Sequence, residues 1–175
     1  MPTPALIVID LQNDYFPGGA FPLANAEAAL DAAEAAIRQA RAKGLPVVLV
    51  QHVARPAAGS KAPFFHPGSE GVQIHPRISA AAADAPVVVK HFADAFDETT
   101  LGETLRALGA TELLLCGMMT QNCVTHTALS RRADDYTQVT VLSDACATAS
   151  TMLHAIALNA LSRRVKLQDV ATALA

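Results

Sequence analysis

The sequence predicts an α/β fold: an open, doubly wound, mainly parallel sheet with helices on both faces, a Rossmann-like three-layer sandwich. Two patterns predict it. Apolar runs of three to five residues recur along the chain, and most are unbroken by polar alternation, as expected of strands covered on both faces. Between them apolar residues return at three- and four-residue steps, the period of a helix with one buried stripe. Strand followed by helix implies right-handed crossovers and a parallel sheet. The 175 residues are too few for a closed eight-stranded barrel and suit a single domain over residues 1–175.

The first run, Ala5–Ile9, closes on Asp10. A helix follows from Asn25 to Lys43, its apolar stripe formed by Ala26, Leu30, Ala33, Ile37 and Ala40, with Asn25 as N-cap and Gly44 just past its end. Val47–Val50 is the second strand. Val53–Arg77 then carries four prolines and three glycines, and a loop of that length is functional or partly structured. Val87–Val89 leads to Lys90, and Thr100 with Glu103 makes a capping-box pattern before the next helix. Leu113–Cys116 is the fourth strand, followed by Gly117–Thr120 and a helix capped by Thr120 and running to about Asp134. Val139–Leu142 and a helix over Thr151–Arg163 complete the series.

Composition narrows the function. Thirteen basic against sixteen acidic residues give a net charge of −3, so nothing favours nucleic acid or anionic lipid as partner. No run approaches the ~18 apolar residues of a membrane span, and the opening residues lack the pattern of a secretory signal. Three cysteines do not make a disulfide framework. A cytoplasmic protein acting on a small molecule is expected.

Three residues with chemical potential fall at strand ends, where open α/β sheets bind ligands. Asp10 ends the first run, Lys90 the third, and Cys123 follows the fourth by a short loop. Singly, each has an ordinary structural role as turn former, solvated cation or core residue. Together they supply complementary chemistry. With Thr120 as N-cap, Cys123 lies in a first helical turn, where free N–H groups and the helix dipole favour a thiolate. A neighbouring ammonium lowers the thiol pKa further. A carboxylate can take the thiol proton and return it to a leaving amine, while nearby N–H groups hold an oxyanion. Such a site uses neither histidine nor cofactor.

The segments Val8-Ile9-Asp10-Leu11-Gln12-Asn13-Asp14-Tyr15, Lys90 after a valine run with Phe96 downstream, Gly117-Met118-Met119-Thr120-Gln121-Asn122-Cys123-Val124, and Asp144-Ala145 occur in this order. In this they resemble the isochorismatase-like cysteine hydrolase superfamily. The resemblance implies a six-stranded sheet of order 3-2-1-4-5-6, with a short last strand near Val165–Leu167. It implies Asp10 as general base and acid, Lys90 as charge partner and Cys123 as nucleophile. It also implies a cis peptide between Met118 and Met119, and an oxyanion hole formed by the N–H groups of Met119 and Cys123. Members of this kind cleave C–N bonds of small amides, carbamoyl or ureido compounds through an acyl-enzyme, releasing ammonia or an amine. Members that act on isochorismate lack the cysteine, so Cys123 points to amide-type chemistry. A homodimer or homotetramer is implied as well.

Nicotinamidases of the superfamily bind a metal through an Asp-x-His element after the second strand. Here that stretch is Val50-Gln51-His52-Val53. His66 and His75 follow, but the spacing of the three matches no compact zinc pattern, so no metal is expected and the resemblance is to the metal-free branch. His126 shares a helix face with Cys123, whereas a base usually arrives from another element. His154 is expected at the surface, Cys116 and Cys146 in packing, Asp144 bracing backbone, and Asp14 as an acceptor for the first loop. Seven of the eight aromatic residues fall in loops after strands. Tyr15, Phe16, Phe65 and Phe96, with Asn122, are the candidate substrate-binding residues. A metal-assisted nicotinamidase and a non-catalytic ligand-binding relative are the alternatives. A receiver domain would need an acidic strand end where Gln51-His52 stands, and would leave Gly117–Val124 unexplained.

Overall fold

The computed structural model describes residues 2–56 and 58–175. Six strands, β1 (Pro4–Ile9), β2 (Val47–His52), β3 (Val87–Lys90), β4 (Glu112–Met118), β5 (Gln138–Ala147) and β6 (Lys166–Gln168), form one sheet. Its order is β3-β2-β1-β4-β5-β6 and every pairing is parallel. The helices are α1 (Ala26–Ala42), α2 (Pro76–Ala81), α3 (Leu101–Ala107), α4 (Thr125–Ala128), α5 (Thr151–Leu161) and α6 (Val170–Ala173). Among the described residues no helix is long and apolar enough to cross a membrane.

Side chains alternate across the strands and build two cores. Leu6 and Val8 of β1 face one way and pack with Leu49, Leu114, Leu142 and the buried stripe of α1, together with α2 and α6. Ala5, Ile7 and Ile9 face the other way, with Val50, Leu113, Leu115, Val141, α3, α4 and the end of α5. The stripe expected from Ala26 to Ala40 is buried. Its alanines let α1 lie close to the sheet.

Several local expectations are corrected. The strand β3 is not covered on both faces: Val87 and Val89 are 49% and 46% exposed, because β3 is the sheet edge. Asn25 adopts the left-handed conformation, φ 59°, and its side chain caps nothing. Thr100 makes no capping bond either; the Thr99 hydroxyl accepts from the Leu101 N–H at 3.2 Å instead. The helix expected from Thr120 to about Asp134 is broken up. Thr120–Val124 is a π-helical turn, α4 adds four residues, and a 3-10 turn follows at Ala133–Asp135. Ser130 contributes to the stop, since its hydroxyl takes the Arg132 N–H at 3.2 Å and so competes with a continuing helix.

The long segment after β2 is tied to the first loop. Gln12 is buried and donates to the carbonyls of His52 (2.8 Å) and Val72 (2.7 Å). Asp14 accepts from the N–H groups of Phe65 (2.7 Å) and Ala20 (3.1 Å). A Cβ at Gly71 would overlap the Asp14 carboxylate, so this close approach requires glycine. These bonds satisfy buried polar groups at the sheet's carboxyl edge.

Candidate active site

The strand order reverses between β1 and β4, which opens a crevice at their carboxyl ends. Asp10 follows β1 there with φ 52°, Lys90 is the last residue of β3, and Cys123 lies in the π-turn after β4. The turn is reached through Gly117, at φ 124°. A Cβ at that position would overlap the Ile9 carbonyl oxygen. The Met118–Met119 peptide bond is cis. Asp10, Lys90 and Cys123 are all buried.

These side chains meet at one nitrogen. Lys90 Nζ forms an ion pair with Asp10 Oδ2 at 2.9 Å and donates to Cys123 Sγ at 3.2 Å. It also contacts His52 Nδ1 at 2.9 Å and the Phe92 carbonyl at 3.0 Å. An ammonium has three protons for these four neighbours. The four therefore compete for them, and the carboxylate also holds the ammonium by its charge. Asp10 Oδ2 is paired with the Lys90 ammonium, and Oδ1 has no hydrogen-bond partner among the described residues. Oδ1 can therefore receive a proton or a substrate N–H, and an unsatisfied buried acceptor of this kind is costly unless function uses it.

The electrostatics oppose a resting thiolate. Burial pushes the Cys123 thiol up to about 12; Asp10 adds to the rise and Lys90 opposes it. The helix contribution is weak because Cys123 stands in a π-turn before a four-residue helix. Burial alone would lower Lys90, but the charges of Asp10 and Cys123 outweigh it and raise its pKa. His52 is pushed down to about 4, first by burial and then by Lys90. It is therefore neutral near pH 7, with Nδ1 free to accept from the ammonium. Burial also raises the Tyr15 hydroxyl, and the negative charge of Asp10 raises it further.

His52 is the residue that sequence reasoning left out of the site. It ends β2 directly opposite Lys90 in the strand register, so the strand-end rule that selected Asp10 and Lys90 applied to it equally. The other histidines lie elsewhere. His75 caps α2, accepting from the Arg77 N–H at 3.3 Å, and His66 is exposed. A nicotinamidase-type metal set is thus not assembled from His52, His66 and His75. His126 Nδ1 contacts the Asn122 carbonyl at 2.8 Å. His154 is half-buried and bonds the Thr120 hydroxyl at 2.9 Å. That contact engages the side chain expected to act as a cap.

The aromatic candidates divide. Tyr15, Phe64 and Phe65 form a mutual cluster with ring centroids 4.7–5.3 Å apart, and Phe65 reaches the His52 ring at 5.8 Å. Phe16 packs on His75 at 4.6 Å, away from this cluster's contact with His52. Phe96 faces Tyr136 at 6.2 Å. Asn122 lies one residue before Cys123, partly buried, in the π-turn. A separate cleft lined by Arg41, Pro46, Asp84 and Pro86 opens at the amino ends of β2 and β3 and holds no nucleophile.

The chain is similar to known proteins. A family model described as the isochorismatase domain matches residues 4–172. The isochorismatase family protein YddQ of Bacillus subtilis is 40% identical over 151 residues, spanning 86% of this chain and 81% of that protein. The nicotinamidase of Escherichia coli is 28% identical over 179 residues, spanning 83% of this chain and 84% of that protein. A crystal structure of a chain from Oleispira antarctica superposes with a TM-score of 0.87 at 35% identity, over 98% of this chain and 96% of the other.

Proposed function

The chain belongs to the isochorismatase family, and from that membership we propose a cysteine amidohydrolase that cleaves the C–N bond of a small amide, carbamoyl or ureido compound. The observation that carries this reading is the meeting of Asp10, Lys90 and Cys123 around one ammonium nitrogen, at 2.9 and 3.2 Å. Because the resting thiol is protonated, attack and proton transfer are coupled. As Cys123 Sγ bonds to the carbonyl carbon, its proton passes to Asp10, and Lys90 stabilises the developing thiolate. The carbonyl oxygen, now negative, takes the N–H groups of Met119 and Cys123. The intermediate collapses as Asp10 returns the proton to the departing nitrogen, leaving a thioester and free ammonia or amine. Water then gives a proton to Asp10 and its oxygen to the acyl carbon. The acid departs, and Asp10 restores the proton to Cys123.

Nicotinamide-like amides belong in the substrate panel because one relative is a nicotinamidase. Metal assistance of the nicotinamidase kind finds no Asp-x-His element here, and the mechanism uses none. The test is ammonia release from a panel of nicotinamide, carbamoyl amino acids, ureides and short aliphatic amides. At least one compound is expected to be hydrolysed by the wild type, with Cys123→Ala reducing the rate by at least about a thousandfold. An active Cys123→Ala protein would overturn the covalent route. A wild type inert on every class would favour a ligand-binding relative without catalysis.

A further inference from the structure

His52 and Lys90 are register partners on β2 and β3, so their side chains leave the same face of the sheet side by side. Lys90 Nζ lies 2.9 Å from His52 Nδ1, 2.9 Å from Asp10 Oδ2 and 3.2 Å from Cys123 Sγ. Of these neighbours Asp10 pulls hardest, because a carboxylate adds its charge to the hydrogen bond. An ammonium answering to Asp10 alone would settle on the carboxylate and leave the sulfur. A proton held by the imidazole is one that the carboxylate cannot take. With the ring neutral and Nδ1 accepting, its own proton resides on Nε2.

The placing of this ring is itself built into the fold. Ile9, the last residue of β1, pairs with Val50, so Gln51 and His52 run past the end of the neighbouring strand. The chain turns away there at Asp10, φ 52°, and the Gln12 side chain fills the gap. Its Oε1 accepts from the His52 N–H at 2.8 Å, and its Nε2 donates to the His52 carbonyl at 2.8 Å. Gln12 is wholly buried and its Nε2 also reaches the Val72 carbonyl at 2.7 Å. One side-chain amide thus replaces the missing peptide group and fixes the backbone from which the imidazole projects. The Phe65 ring, 5.8 Å away, packs against it.

We propose that His52 is a positioning residue: as a neutral acceptor it draws the Lys90 ammonium off Asp10 and holds it within reach of Cys123. The carboxylate then stays free to take a proton, and the developing thiolate keeps its counter-charge. This role deepens, and rests on, the amidohydrolase reading, but it is tested first without substrate. The readout is the rate at which iodoacetamide alkylates Cys123, followed by peptide mass spectrometry.

His52→Leu keeps an apolar body beside Phe65 but offers no acceptor. It is expected to slow alkylation at about pH 8 at least about threefold, as the ammonium moves away from the sulfur. In His52→Asn an amide oxygen can stand where Nδ1 stood, and the rate should return to within about twofold of wild type. A packing role predicts the opposite order, since leucine fills an apolar site better than asparagine. Lys90→Met alone should slow alkylation at least about tenfold, and adding His52→Leu should slow it no further, because the effect runs through the ammonium. In Lys90→Met the His52 ring, followed by NMR, should also titrate above its wild-type value of about 4. On a panel amide that the wild type hydrolyses, kcat should fall in the same order with KM within about twofold. An unchanged rate in His52→Leu, a His52→Asn rate no better than that of His52→Leu, multiplying losses in the double variant, or an unmoved His52 titration would each overturn the proposal. A wild type inert on every amide would sink the amidohydrolase reading alone, and the labelling rates would still decide whether His52 positions Lys90.

Discussion

At Cys123 two influences compete, and burial wins. The neighbouring ammonium favours a thiolate, but desolvation and the Asp10 charge push the thiol up to about 12. In the proposed mechanism Cys123 therefore keeps its proton until Asp10 accepts it. His52 shows the same physics with a measurable consequence. Its pKa falls from 6.5 to about 4 through burial and Lys90, with Asp10 opposing and His91 adding to the fall. An unfolded chain takes up this proton near pH 6.5 and the folded chain only near 4. The stability linked to neutral His52 is thus complete above pH 6.5 and is lost as the pH falls to 4, by about 3 kcal/mol at most. Urea unfolding of the wild type and His52→Gln at pH 7 and pH 4 should show the smaller acid loss in the variant. Equal losses would remove His52 from the buried charge cluster. The sequence marked Asp10, Lys90 and Cys123 through motif and position at strand ends. It did not mark the protonation state of the thiol, because desolvation depends on every residue that excludes water from the site.

At the scale of elements, β4 and its following turn carry the site. Gly117 holds φ 124°, and a Cβ there would overlap the Ile9 carbonyl oxygen of the adjacent strand. Gly117→Ala is expected to cost at least about 3 kcal/mol, since it combines a forbidden backbone conformation with a steric clash. Urea denaturation would measure it, and a loss under about 1 kcal/mol would mean that β4 can shift without consequence. The helix after Cys123 was legible as a helical start but not in its length. Hydroxyls decide that length. Thr125 Oγ1 donates to the Thr120 carbonyl at 2.6 Å, Thr120 is drawn to His154, and Ser130 takes a later N–H. These bonds join residues that a periodicity count treats as equivalent polar positions. Every residue of the expected α1 stripe is buried, because one repeated burial pattern governs all its turns, and Ala29 and Ala36 join it.

For the whole molecule, the central strands should be the most protected. The strands β1 and β4 are buried along nearly their whole length, whereas β3 alternates between exposed and buried residues and β6 is never fully buried. Native-state hydrogen exchange should therefore rank β1 and β4 amides slowest and those of β3 and β6 fastest. Faster exchange in β1 than in β3 would contradict a sheet held most firmly at its centre. Strand–helix alternation, the order of elements and the placing of Asp10, Lys90 and Cys123 at or just after strand ends were determined by the sequence itself. They depend on local periodicity and on short motifs, which a chain carries wherever it is placed. Only the tertiary structure decided that β3 is an exposed edge, that His52 joins the site, that burial raises the Cys123 thiol pKa, and that four groups surround one ammonium. Those facts depend on distance and solvent exclusion between residues far apart in the chain, and such quantities exist only once the sheet has brought the strand ends together.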